Sequence, residues 1–193
     1  MNLYMFIVFE GIDGAGKGTQ AKMLAFWLRK RGYEVFLTKE PTNGEVGKLI
    51  KKILKKDEIN PRSIALLFAA DRAEHVDRIK KELDMGKIVL SERYLLSSLA
   101  YQGASGLELE WIYEINKFAI KPDLTIYLDI PPEVGLKRIK SRDLREFFER
   151  VEFLVKVREI YHTLINKEEN IIVIDATKDI GDIQREIRRR LLL

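Results

Sequence analysis

Gly11-Ile12-Asp13-Gly14-Ala15-Gly16-Lys17-Gly18-Thr19 is the stretch that decides the fold. Before it, Leu3-Tyr4-Met5-Phe6-Ile7-Val8-Phe9-Glu10 is an apolar run of the kind buried as a central parallel strand. After it, Gln20 to Leu28 places apolar residues at helical spacing. Strand, glycine-rich turn and helix together make a phosphate cradle. Glycines let backbone N–H groups approach phosphate oxygens, and the first helical turn offers unpaired donors to an anion. Lys17 adds a mobile point charge for the outer phosphates. The spacing Gly11-x4-Gly16-Lys17 is that of a phosphate-binding loop, so residues 11 to 19 are all candidates for holding a nucleotide. Position 18, where a Ser or Thr hydroxyl would hold Mg2+, is Gly, and the nearest hydroxyl is on Thr19. A glycine-rich turn without a ligand is the plain alternative, and the flanking strand and helix argue against it.

Outward from the cradle, apolar strands alternate with amphipathic helices. Residues 33–39 and 88–91 read as strands, the first closed by Glu40-Pro41-Thr42 and the second by Glu92-Arg93-Tyr94. Between them, a helix runs through Val46, Ile50 and Leu54, and Asn60-Pro61 opens a long one ended by Gly86. Residues 95–101 and 110–118 look helical, 123–129 a fourth strand, and Pro131-Pro132 the start of another helix. From Lys140 to Arg150 the chain is densely charged, with Arg142, Arg145 and Arg150, which suits a mobile lid. A helix through Val155 and Tyr161, a fifth strand at 171–175 and a helix at 180–191 complete the chain. The alternation predicts an α/β domain with a five-stranded parallel sheet covered on both faces. No repeat or linker interrupts it, so residues 1–193 are read as one domain. In such sheets ligands sit at the carboxyl ends of the strands, where the cradle, Glu40-Pro41, Glu92-Arg93 and Asp129 would converge.

The chain has 193 residues, enough for a substantial core. With no Cys, a disulfide framework and a thiolate zinc site are both excluded. No apolar run reaches membrane-spanning length and the N-terminus has no signal-like pattern, so a cytoplasmic protein without membrane association is expected. The net charge of +4 fits a polyphosphate ligand as well as nucleic acid. No basic patch interleaved with aromatics favours nucleic acid, which is not expected as a partner. Two polyanions brought together for phosphoryl transfer need several converging cations. Lys17, the strand-end Arg93, and Arg142, Arg145 and Arg150 of the lid could supply them. A closing lid would also exclude water as a competing acceptor.

The chain resembles the thymidylate kinases, nucleoside monophosphate kinases, over nearly its whole length. The resemblance runs through residues 9–17, Lys39-Glu40-Pro41-Thr42, Leu67-Phe68-Ala69-Ala70-Asp71-Arg72, Glu92-Arg93-Tyr94, residues 97–103 and Pro122 to Asp129. It implies a three-layer P-loop kinase fold with a short helical, charged lid at about 140–150, and transfer from ATP, with Mg2+, to dTMP. By the same resemblance Asp13 lies near the phosphates and the acceptor sugar, and Arg93 grips the acceptor phosphate. Phe68 stacks on thymine while Arg72, one turn on, bonds its carbonyl oxygen. Tyr101 lies under the sugar, Ser98 faces the base, and Glu40, Pro41 and Gln102 complete the acceptor side. Two features depart from the family: Gly18, as in adenylate kinases, and Glu92 for the usual Asp, as in deoxynucleoside kinases. Both bear on Mg2+, for which Thr19 and Glu92 are the candidate ligands. Gly14 excludes an arginine within the cradle, so a transition-state arginine would come from the lid, as Arg142 or Arg145. The resemblance further implies a homodimer, to which Leu66, Leu67, Leu95 and Leu99 could contribute if they are not plain core. Another nucleoside monophosphate or deoxynucleoside kinase is the alternative activity, and a non-catalytic nucleotide-binding protein the alternative class. His75, His162, Trp27 and Trp111 carry no motif and are assigned no chemistry.

Overall fold

The computed structural model describes residues 6–55, 60–139 and 144–191, with backbone alone at 144–149. Strand β1 (Phe6–Glu10) is buried throughout and lies at the centre of the sheet. β2 (Val35–Lys39), β3 (Ile88–Glu92), β4 (Leu124–Asp129) and β5 (Ile171–Asp175) pair with it in the order β2-β3-β1-β4-β5, all parallel. From β1 the chain crosses to the edge strand β2, returns to β3 beside β1, and then builds outward on the other side through β4 and β5. The end of β1 is therefore the point where strand order reverses and a crevice opens.

The register divides the strand's side chains between two faces. Ile7 and Phe9 pack with Leu24, Ala25 and Leu28 of α1 (Lys17–Arg29), and Ile183 and Ile187 of α8 (Ile180–Leu191) join the same core. Phe6 and Val8 face Val76 and Ile79 of α3 (Pro61–Asp84) together with Tyr94. The remaining helices are α2 (Glu45–Ile53), α4 (Leu95–Ala104), α5 (Leu109–Glu114), α6 (Pro132–Ile139) and α7 (Leu144–Ile165). α7 lies against α4 and α6 and adds Leu154, Val157 and Tyr161 to the main core.

The expected elements are present, with differences that have physical reasons. The Asn60 side chain accepts from the Ser63 N–H at 3.1 Å, an N-cap with Pro61 in the first turn. The helix expected over 110–118 is shorter, because after α5 the backbone closes turns from Asn116 to Tyr113 and from Ala119 to Asn116. Of the proposed lid, residues 140–143 lie outside the described residues, and from Leu144 the backbone is already α7. Leu99 is core, Leu66 is exposed, and Leu67 and Leu95 are half-buried.

Candidate active site

The cradle joins β1 to α1. Gly16 takes a left-handed conformation as the N-cap, and the Gln20 N–H already returns to the Gly16 carbonyl at 3.0 Å. The N–H groups of the first turn thus stay free of helical partners and point toward the crevice. Gly14, at φ 82, packs against the backbone of Gly135 in α6, so neither an arginine nor any other side chain fits there. Ile12 and Ala15 are buried in the core, which leaves only their backbone to meet a nucleotide. Lys17 is not the mobile point charge expected. Its side chain is buried, and its ammonium donates to the Gly11 and Ile12 carbonyls at 2.9 and 2.8 Å. Burial, aided by the nearby Arg93 charge, brings that ammonium down to about 7.

Next to the cradle is a cavity of about 370 Å³ whose lining includes Asp13, Glu40, Pro41, Phe68, Arg72, Arg93, Ser98, Tyr101 and Gln102. These are all nine of the acceptor-side residues expected from the sequence. Arg93 is at the cradle end. It has the left-handed φ of 68, pairs with Asp13 at 2.5 Å and lies over the Tyr101 ring at 4.8 Å. A non-glycine residue held in that conformation is a sign of local strain kept for a purpose. Phe68 and Arg72, one turn apart on α3, mark the other end.

Arg72 is more than a probe for a ligand. It is 1% exposed, and its Nε and Nη2 donate to Glu40 Oε2 at 3.0 and 2.7 Å. Nη2 also donates to Ser98 at 2.7 Å, and Nη1 to Asn116 at 2.5 Å. Glu40, itself buried, meets His75 Nδ1 at 2.9 Å through its other oxygen, and the far His75 nitrogen meets Thr38 at 2.8 Å. Glu40 therefore acts on the cavity by holding Arg72. Among the described residues, no partner is found for the buried Oε1 of Gln102. A buried polar group without a partner in the wall of a cavity is what a hydrogen-bonding ligand would satisfy.

Behind Arg93 lies Glu10, a residue the sequence did not single out. Its carboxylate accepts from the Tyr94 and Ser97 N–H groups at 2.9 and 3.1 Å, and from the Ser97 and Tyr161 hydroxyls at 2.5 and 2.8 Å. Ser97 in turn accepts from Arg93 Nη1 at 3.1 Å. Complete burial raises the Glu10 carboxyl above its usual range, against the pull of those hydroxyls. His75 and Asn116 were missed as well. The available clue for His75 was its place three residues after Arg72, on the same helical face. Asp129 does lie at a strand end, but Arg158 of α7 holds it in a two-point pair at 2.8 Å. Thr19 is exposed on α1, whereas the Glu92 carboxylate lies against Gly18. Arg142 lies outside the described residues, and Arg145 is placed only as backbone at the start of α7.

The family model for thymidylate kinase matches residues 9–187, from the end of β1 into α8. The chain belongs to the thymidylate kinase family. Relatives agree along most of the length. A probable thymidylate kinase of Thermococcus kodakarensis is 49% identical, covering 95% of each chain. One from Pyrococcus horikoshii is 50% identical over 94% of this chain and 93% of its own. A third, from Methanocaldococcus jannaschii, is 46% identical over 95% and 93% respectively. All three carry the same description, and the five-stranded parallel sheet around the cradle agrees with a P-loop kinase of this family.

Proposed function

We propose that this chain transfers the terminal phosphoryl group of ATP to the 5'-phosphate of dTMP, giving ADP and dTDP. The observation that carries this reading is the single cavity that joins Arg93, beside the cradle, to Phe68, Arg72 and Gln102. ATP would lie along the cradle, with its phosphates on the free N–H groups of α1 and on Lys17. Its anionic charge would draw the Lys17 ammonium back to the protonated form. An oxygen of the dTMP phosphate, held by Arg93, attacks the terminal phosphorus of ATP, and ADP leaves with the bridging oxygen. Asp13 holds Arg93 until the acceptor phosphate takes over part of that interaction. Phe68 stacks on the base and Arg72 donates to a base carbonyl. Tyr101, beneath the sugar, would disfavour a 2'-hydroxyl. Arg142 or Arg145 would reach the transferring group from the lid.

Mg2+ fits the donor set as a companion of ATP. Among the described residues no group of three or more His, Cys, Asp or Glu could hold a metal unaided. Mg2+ is commonly bound by one or two hard oxygen ligands together with substrate phosphates, and Glu92 and Thr19 could supply them. When bound, it neutralises charge on the donor phosphates. With this reading go a homodimer, a cytoplasmic location and no nucleic-acid partner. Among the described residues no helix is long and apolar enough to cross a membrane.

The test is ADP release measured with dTMP, dUMP, AMP, CMP and thymidine as acceptors. A buried donor left unpaired by the wrong base rejects it strongly, whereas a missing methyl group costs only about 1–3 kcal/mol. The expected order is dTMP, then dUMP, with AMP and CMP far behind. A preference for AMP or for thymidine would replace this reading with another nucleoside monophosphate or deoxynucleoside kinase. No turnover with any acceptor would favour a nucleotide-binding protein.

A further inference from the structure

We infer that Gly18 and Glu92 form an interlocked pair, in which the Glu92 carboxylate replaces a hydroxyl at position 18 as this chain's ligand to the cation of the bound nucleotide. The inference rests on the proposed use of ATP with a divalent cation.

Four observations carry it. Gly18 is the second residue of α1 and its backbone is not left-handed, so its conformation does not call for glycine. Glycine within a helix is disfavoured relative to alanine, so its presence needs another reason. The reason is space. A Cβ at position 18 would come within 2.6 Å of Glu92 Oε2, closer than a methyl group can stand to a carboxylate oxygen, so the carboxylate keeps this position only beside a glycine. Glu92 ends β3, paired with Phe9 of β1, so its backbone is fixed beside the cradle. The extra methylene over aspartate lets its carboxylate cover the helix start.

The third observation is chemical. Among the described residues the Glu92 side chain has neither a hydrogen bond nor an ion pair, although it is only half exposed and near enough to Lys17 to attract its charge. A carboxylate lying against the first turn of α1 is repelled by phosphates bound there unless a cation stands between. The fourth concerns Thr19. One residue further round the helix is a rotation of about 100°, and its side chain is exposed, away from the Gly18–Glu92 contact. A hard, charged oxygen in place of a neutral hydroxyl suits Mg2+, which accepts one or two carboxylates alongside phosphate oxygens. It also makes nucleotide binding depend more strongly on the cation.

The experiment is calorimetric titration with ATP, without acceptor, in EDTA and in Mg2+, on the wild type and on Glu92→Gln, Gly18→Ala and Gly18→Thr/Glu92→Asp. Paramagnetic resonance of Mn2+ in the same complexes reports the cation directly. The clash at position 18 is with the tip of a flexible side chain, so Gly18→Ala yields by displacing the carboxylate, and melting curves check that it folds. Glu92→Gln should bind ATP more tightly in EDTA and lose at least about tenfold of the Mg2+-induced gain in affinity. Gly18→Ala should lose a similar part of that gain. The double variant, with a hydroxyl and a shorter acid, should recover it. A Mg2+-induced gain equal to wild type in both Glu92→Gln and Gly18→Ala would overturn the inference. Wild-type protein that binds no ATP in either condition would instead remove the nucleotide reading on which it rests.

Discussion

Replacing Arg72 with Ala should do two separable things, and their sizes follow from its contacts. The variant removes a guanidinium that makes two bonds to Glu40 and one each to Ser98, Asn116 and the Tyr94 carbonyl. It leaves Glu40, 4% exposed, with a carboxylate whose remaining side-chain partner is His75. Stranding one member of a buried ion pair costs about 3–5 kcal/mol. For a chain of this size each kcal/mol moves the melting temperature by about 2–4 °C, so a fall of roughly 6–20 °C is expected. The assay is a double-mutant cycle with Glu40→Ala, followed by calorimetric melting. The double variant buries neither charge, so it should be less destabilised than the sum of the single variants. The second effect is on choice of acceptor. Arg72 can only donate, so it distinguishes the thymine carbonyl from the cytosine amino group. Preference for dTMP over CMP, as a ratio of kcat/KM, should therefore shrink in Arg72→Ala while the KM for ATP stays near wild type. Strict additivity within about 0.5 kcal/mol would refute the coupled pair. Unchanged selectivity in a folded variant would remove Arg72 from base recognition.

Three further perturbations test other parts of the site. Lys17→Met should lower turnover at least about a hundredfold without lowering the melting temperature, because it removes a charge whose burial is unfavourable. The folded Lys17 ammonium titrates at about 7 and the unfolded one at about 10.4, so the unfolded chain holds more protons between those values. Nucleotide-free stability should accordingly rise with pH across that window and be lost as pH falls through 7, a slope that Lys17→Met should reduce. By the same linkage, ATP binding near pH 8 should take up protons, seen as heats that change with the buffer; heats independent of buffer would count against it. Phe68→Ala should raise the acceptor dissociation constant about 5- to 150-fold, from roughly 1–3 kcal/mol of lost stacking. Since Phe68 is only half-buried, its melting temperature should fall less than for a core phenylalanine. Arg142→Ala and Arg145→Ala should lower kcat more than they raise KM, and normal kcat in both and in the double variant would leave the lid as a cover alone.

The sheet and the cradle were legible because local and tertiary demands agree there. β1 is apolar at every position but its last, and Gly11, Gly14 and Gly16 of the cradle lie where the backbone turns to positive φ or meets another backbone. Phe68 and Arg72 were legible because four residues on a helix return to one face, whatever surrounds them. What stayed hidden were the partners that make those side chains stay in place. Glu40 and Asn116 lie 32 and 44 residues from Arg72, and Tyr161 lies 151 residues from Glu10. No periodicity records contacts at such separations, because they are fixed only when α3, α4 and α7 pack on the sheet. The same cause misled the reading of Lys17. Seen as a sequence it is a flexible cation beside an anion site, whereas in the fold its ammonium is turned onto two carbonyls of its own loop. A nucleotide bound as proposed would compete with those carbonyls for the ammonium and draw its proton back. On the proposed reading the cradle is ready in its backbone, and its cation would become available as the phosphate arrives.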